Sequence, residues 1–247
     1  MRVLYADPGL RNTLGHHANS CRAIRGELQR RGIEVVVLAL NTVIPELRAE
    51  LQAIPLFRAF SYWLNDGDPF AGWLNAFDKS SRATAEDLSR INGIGPDDLV
   101  YLNSSQPPQL RALILWAQSM PLERRPHIVL EFGTDPGVDV AVDEAGRTVI
   151  SPRDYRADAR PMFYRFSASH LSDADLTRFH MTTFDPTSST LYSHVLGKPV
   201  GVLPSPQFTR GTIIDRSSRR PVTVAVLVWG LCLSRGYRQW RSPHRGI

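Results

Sequence analysis

Two adjacent histidines, His16 and His17, close a turn-rich stretch, Asp7-Pro8-Gly9-Leu10-Arg11-Asn12-Thr13-Leu14-Gly15. An imidazole changes charge near neutral pH, so a histidine beside a substrate can take or deliver a proton. Neighbouring residues at a helix start point in different directions, which makes the pair unsuited to share a metal. We expect one to face a ligand crevice and the other to cap the helix or sit in solvent. Glycines in this loop let backbone approach a ligand, and the helix start that follows favours anions. A second group is Glu131, in Glu131-Phe132-Gly133-Thr134-Asp135-Pro136-Gly137. An acid at the end of a buried strand is costly to leave unpaired. It could act as a base, accept a hydrogen bond from a sugar hydroxyl, or be a structural carboxylate held by backbone N–H groups. Asp135-Pro136-Gly137 reads as a plain turn. Asp185-Pro186-Thr187-Ser188-Ser189-Thr190 is a hydroxyl-rich helix start, best read as a capped helix. Arg147, Arg153, Arg156, Arg160 and Arg165 are interleaved with Asp154 and Asp158 and read as a solvated face.

Other chemistries lack their residues. The sequence has no G-x-G-x-x-G, Walker, H-E-x-x-H, paired C-x-x-C or G-x-S-x-G pattern. That argues against a dinucleotide cofactor, a zinc protease and an α/β-hydrolase. No metal site and no cofactor are expected. Asn92-Gly93-Ile94-Gly95-Pro96 has two spaced glycines, but it precedes a strand and reads as a turn.

The elements that position these residues follow a repeating order. Residues 2–6 are a short apolar run of β character. Ala18, Cys21, Ile24 and Leu28 then recur at helical steps, with Gly32 as the expected C-cap. Residues 33–40 are almost continuously apolar, as in a strand buried on both faces. Strand, loop, helix and strand make a βαβ unit with a right-handed crossover. Further strands are predicted at 98–103, 127–132, 180–184 and 199–203, six in all. Pro107 and Pro108 open a helix with Leu110, Leu113, Ile114 and Ala117 inward. Asp185-Pro186 opens another, with Leu191 and Val195 on its buried face and Gly197 ending it. Residues 138–150 alternate around Asp143-Glu144-Ala145-Gly146, an inserted β-hairpin. Residues 44–92 read as a helical insertion carrying Phe57, Phe60, Tyr62, Trp63, Phe70, Trp73 and Phe77. Those aromatics either pack into a core or form an apolar acceptor-side or membrane-facing surface. The expected fold class is α/β: a Rossmann-like wound parallel sheet with flanking helices, this insertion and the hairpin. Ligands in such sheets bind where the winding direction changes, at the carboxyl ends of the strands.

Composition narrows the partners. Of 29 basic residues against 24 acidic ones, seven arginines lie beyond the last acid, Asp215. Residues 1–215 therefore carry a slight acidic excess, which speaks against a nucleic-acid partner. No apolar run approaches the ~20 residues of a membrane helix. The first residues reach an acid too soon for a signal peptide, and Cys21 and Cys232 cannot make a disulfide framework. A cytoplasmic protein is expected. Residues 205–221 read as a linker, and 222–228 as the first strand of a second α/β domain.

The order of these pieces resembles the GT-B glycosyltransferases. Gly15-His16-His17, the helix after it and Arg31-Gly32-Ile33-Glu34-Val35 are similar to that family's opening strand, G-G-H-like loop, helix and second strand. Thr183-Phe184-Asp185-Pro186, Lys198-Pro199-Val200-Gly201-Val202-Leu203-Pro204-Ser205-Pro206 and Arg220-Pro221-Val222-Thr223-Val224 look like the end of its first domain and the start of its second. The resemblance covers residues 1–228. It implies an acceptor-side N-terminal domain over 1–204, facing a second domain that holds a nucleotide-sugar donor without an essential metal. On that resemblance Gly15, His16 and His17 approach donor phosphate and acceptor. Glu131 stands near where many members place a catalytic His. Arg235, in Ser234-Arg235-Gly236-Tyr237, falls where members often show a Lys-Gly pair.

Residues 222–247 are then the first strand of an incomplete second domain and an aberrant basic tail, as a truncated or frameshifted gene would give. The expectation is a half-enzyme, inactive or weak alone, with a carbohydrate, lipid or small-molecule acceptor. Peripheral membrane contact and a partner chain supplying the missing domain are compatible with it. Two other readings stay open: a non-catalytic Rossmann-like binding or interaction domain, and a GT-B-type sugar-nucleotide epimerase.

Overall fold

The structure, a computed structural model, describes residues 1–62 and 71–203. The apolar opening run is β1 (Arg2–Asp7), followed by α1 (His16–Arg30) and β2 (Glu34–Leu40). Ala18, Cys21, Ile24 and Leu28 are buried along α1, as their spacing requires. The helix ends where Gly32 takes φ 73°, with Ile33 N–H on Leu28 C=O and Gly32 N–H on Gln29 C=O. That is a Schellman stop, and its left-handed residue is one only glycine adopts without strain.

The chain continues through α2 (Pro45–Leu51), β3 (Ile54–Phe57), α3 (Ala71–Leu88), β4 (Leu99–Leu102), α4 (Pro107–Gln118) and β5 (His127–Phe132). The hairpin strands β6 (Val138–Val142) and β7 (Thr148–Pro152) follow. Then come α5 (Arg160–Ala168), the one-turn α6 (Asp173–Leu176), β8 (Phe179–Thr183), α7 (Pro186–Leu196) and β9 (Gly201–Val202).

Seven strands form one sheet in the order β3-β2-β1-β4-β5-β8-β9, every pair parallel. The hairpin forms a separate antiparallel pair. This is an α/β Rossmann-like fold. Its strands are buried on both faces because two apolar layers cover the sheet. One face carries α1 and α2 through Ala18, Ile24, Leu28 and Leu47. The other carries α3, α4, α5 and α7 through Leu88, Leu113, Tyr164 and Tyr192. Among the described residues no helix is long and apolar enough to cross a membrane.

The chain winds outward from β1 to β3, returns to β4 on the other side of β1, and winds outward again. The switch point therefore lies between the carboxyl ends of β1 and β4, where a ligand crevice belongs.

Two expectations are corrected. The stretch 44–92 is not a wholly helical insertion, because β3 interrupts it and adds a seventh strand. Ile54-Pro55-Leu56-Phe57 runs along β2 at the sheet edge, where Pro55, lacking an N–H, is tolerated, and Phe57 is buried. The last strand narrows to two residues. Trp63, Phe70, the linker over 205–221, the strand over 222–228 and the basic tail lie outside the described residues.

Candidate functional site at the switch point

Register brings the site together. Tyr5, Tyr101 and Val129 are aligned across β1, β4 and β5 and share the core beneath α1. Side chains alternate along a strand, so two residues further on Asp7, Asn103 and Glu131 stand on the same face. All three are fully buried polar groups at the carboxyl ends of adjacent strands.

Asp7 is the hub. Its carboxylate accepts from the Gly9 N–H at 2.8 Å, from His17 Nδ1 at 2.8 Å and from Asn103 Nδ2 at 2.9 Å. Buried charge is tolerable when paired and hydrogen-bonded in this way. Burial alone would keep His17 neutral, but the charge and hydrogen bond of Asp7 outweigh it and raise the His17 pKa above its ordinary value. On the far side of the ring, Nε2 lies 3.2 Å from the Tyr62 hydroxyl. Gly9 makes this packing possible. A Cβ there would lie 2.1 Å from His17 Cε1.

His16 behaves oppositely. Its ring stacks on that of His17 with centroids 4.2 Å apart. Partial burial lowers its pKa, and the positive charge on His17 adds to the effect. The imidazole that faces the crevice therefore holds its proton less tightly than an ordinary histidine. Its Nε2 is 2.7 Å from Ser104 Oγ. With its proton on Nδ1, His16 accepts from the Ser104 hydroxyl and is set to take a proton at Nε2. Ser104 sits at φ 53°, a left-handed conformation uncommon for a residue with a Cβ. A side-chain hydrogen bond joins it to Tyr62. A polar chain thus runs from Asp7 through His17, Tyr62 and Ser104 to His16. The sequence expected one histidine to face the crevice and the other to cap the helix or sit in solvent; His16 faces the crevice, but His17 is buried on Asp7 and caps nothing, and the two rings stack. Gly15, the residue before α1, takes φ 78° with open space where a side chain would be.

Glu131 has no exposed surface. Its Oε2 accepts from the Tyr101 hydroxyl at 2.5 Å, and its Oε1 has no partner. It is held by that phenol rather than by backbone N–H groups, and it is sealed from the crevice. Burial pushes its pKa up to about 7. Arg235 lies outside the described residues.

Beside the cluster, a cavity of about 430 Å³ is lined by Tyr62, Trp73, Gln106, Thr134, Asp158 and Arg160, among others. Gln106 Nε2 donates to Thr134 Oγ1 at 2.8 Å across its floor. The arginine stretch is not simply a solvated face. Arg153 pairs with Asp135 at 2.5 Å and Asp139 at 3.1 Å, and Arg160 with Asp158 at 2.6 Å. Arg153 also lies 3.6 Å from Asp158 and Arg160 3.9 Å from Asp135, contacts that link the hairpin to the start of α5. Asp185 caps α7 by accepting from the Ser188 N–H at 2.9 Å.

Sequence reasoning missed Asp7, Asn103 and Ser104, and had Tyr62 only among the aromatics of a candidate acceptor-side surface. The usable signal was polarity at strand ends: Asp7 ends the first apolar run, and Asn103-Ser104-Ser105 ends the strand after it in the sheet.

No family model matches the chain, and no curated protein does. The sheet order and the switch-point chemistry are what describe it. Among the described residues no group of three or more His, Cys, Asp or Glu is placed to hold a metal ion.

Proposed function

We propose that this crevice is the acceptor side of a GT-B-type glycosyltransferase, which moves a sugar from a nucleotide-sugar to an acceptor hydroxyl. The observation that carries the reading is His16 at the switch point, with Nε2 2.7 Å from Ser104 Oγ and its ring stacked on a His17 that Asp7 holds. An acceptor hydroxyl entering the crevice replaces Ser104 at that nitrogen. Its proton passes to His16 Nε2 as its oxygen bonds to the anomeric carbon, and the nucleotide phosphate leaves with the electron pair of the broken bond. A general base must be unprotonated at the working pH, and burial, with His17 adding to it, lowers the His16 pKa in that sense. Gly15, with open space where a side chain would be, supports the reading by leaving room for backbone to approach phosphate.

The test is product analysis. The chain is incubated with nucleotide-sugars and a panel of glycosides, and products are identified by mass spectrometry. Glycosylated acceptor in low yield is the expected result, as suits a chain read as the acceptor half of the enzyme. Glycoside binding without turnover would move the reading to a non-catalytic binding domain, and an epimerised nucleotide-sugar would move it to an epimerase.

A further inference from the structure

Next to the hydroxyl-rich cavity lies a second one of about 540 Å³. Its wall is largely apolar: Pro152, Tyr155, Pro161, Met162 and Val195 line it, between the end of the hairpin, α5 and α7. The two cavities share Arg153 and Asp158 in their linings, so they meet along that ion pair. The charged groups at the junction already have partners. Arg153 is bound by Asp135 and Asp139, and Arg160 by Asp158. In the apolar cavity, Arg165 donates to the carbonyls of Val195 and His194, both at 3.2 Å. Asp154, also in that lining, accepts from the Arg156 N–H at 2.9 Å, and no cluster of unpaired charge selects an ionic ligand among the described residues. The first cavity presents an indole and a phenol with amide, hydroxyl and paired carboxylate groups, a surface that suits a neutral ring bearing hydroxyls. The second presents hydrocarbon.

We infer that the acceptor is an uncharged amphiphile, with a sugar ring in the cavity of Trp73, Gln106 and Thr134 and an apolar tail in the cavity of Tyr155, Met162 and Val195. This rests on the sugar-transfer reading and gives its acceptor a class. Tyr155 is 44% exposed and Met162 38%. Water thus reaches the hydrocarbon wall, and a tail laid on it removes that surface from water.

Calorimetry on the full chain tests the inference with octyl β-glucoside, below its micellar concentration, and methyl β-glucoside. The octyl compound should bind at least tenfold more tightly. Met162→Arg, at a half-exposed site in the first turn of α5, should abolish the difference while methyl glucoside affinity stays within twofold. Tyr155→Ala, in a surface loop, should reduce the difference and serves if the first variant does not fold. Equal affinities for the two glucosides overturn the inference. So does a chain-length effect that survives both variants, which would be detergent adsorption elsewhere. Failure of both compounds to bind also overturns it. Methyl glucoside binding without a chain-length effect removes only the amphiphile and leaves the sugar-transfer reading to its own product assay.

Discussion

Gly9 and His17 occupy one space: a Cβ on the glycine would fall 2.1 Å from His17 Cε1, so the imidazole reaches Asp7 only because residue 9 has no side chain. Gly9→Ala must push the ring away from a carboxylate that is buried with it. The expected loss is about 1–3 kcal/mol, the usual range for overpacking, seen as a fall in thermal midpoint of about 2–4 °C per kcal/mol. Gly26→Ala is the contrast. It lies within α1 with nothing near its Cβ, and should stabilise by about 0.5–1 kcal/mol. Equal behaviour of the two variants would contradict the packing described.

Asp7→Asn should lower the His17 pKa. Once the carboxylate is gone, burial is left as the main influence, and the His17 pKa should drop below 6.5, read from the imidazole resonances in an NMR titration. The effect on stability has a definite sign. A histidine whose pKa is raised by folding contributes stability that is full below the unfolded pKa and lost as pH rises through the folded one. The variant's deficit should therefore be largest below about pH 6.5. There it should reach about 3–5 kcal/mol, as for a buried pair stripped of one partner. A deficit that grows with rising pH would be inconsistent with the pairing.

Glu131 should act in the same direction, over its own pH range. Burial raises its pKa from 4.5 to about 7, so the folded chain holds this proton more tightly than the unfolded chain. Wild-type stability should then fall as pH rises between those values, by about 3 kcal/mol from this group. Glu131→Gln keeps an acceptor for Tyr101 without the charge. It should be more stable than wild type above pH 7 and should flatten that part of the curve in chemical denaturation. Parallel curves for the two proteins would mean that Glu131 does not titrate in this range.

Much of the scaffold could be read from residues. Ala18, Cys21, Ile24 and Leu28 marked α1, Gly32 its end, and the alternation around Asp143 the hairpin, because each depends on local periodicity or turn chemistry. The edge strand Ile54–Phe57 could not be read the same way. Its four residues sit among helical patterns, and pairing with β2 decides their state. In the crevice, His16 and His17 were visible as types, but their opposite pKa shifts were not. Those depend on burial and on Asp7, which arrives from β1. Glu131 was visible as an acid at a strand end. Its enclosure follows from Tyr101 on the neighbouring strand, a contact between residues 30 positions apart.

The most direct measurement is the pH dependence of sugar transfer by the wild type and by His16→Ala. With His16 as the proton acceptor, kcat/KM should rise with pH through an apparent pKa below 6.5, the direction set by burial and by the charge on His17. The alanine variant should lose that inflection and about 100-fold or more in rate while still folding. Transfer at the wild-type rate, with the inflection unchanged in His16→Ala, would contradict the account.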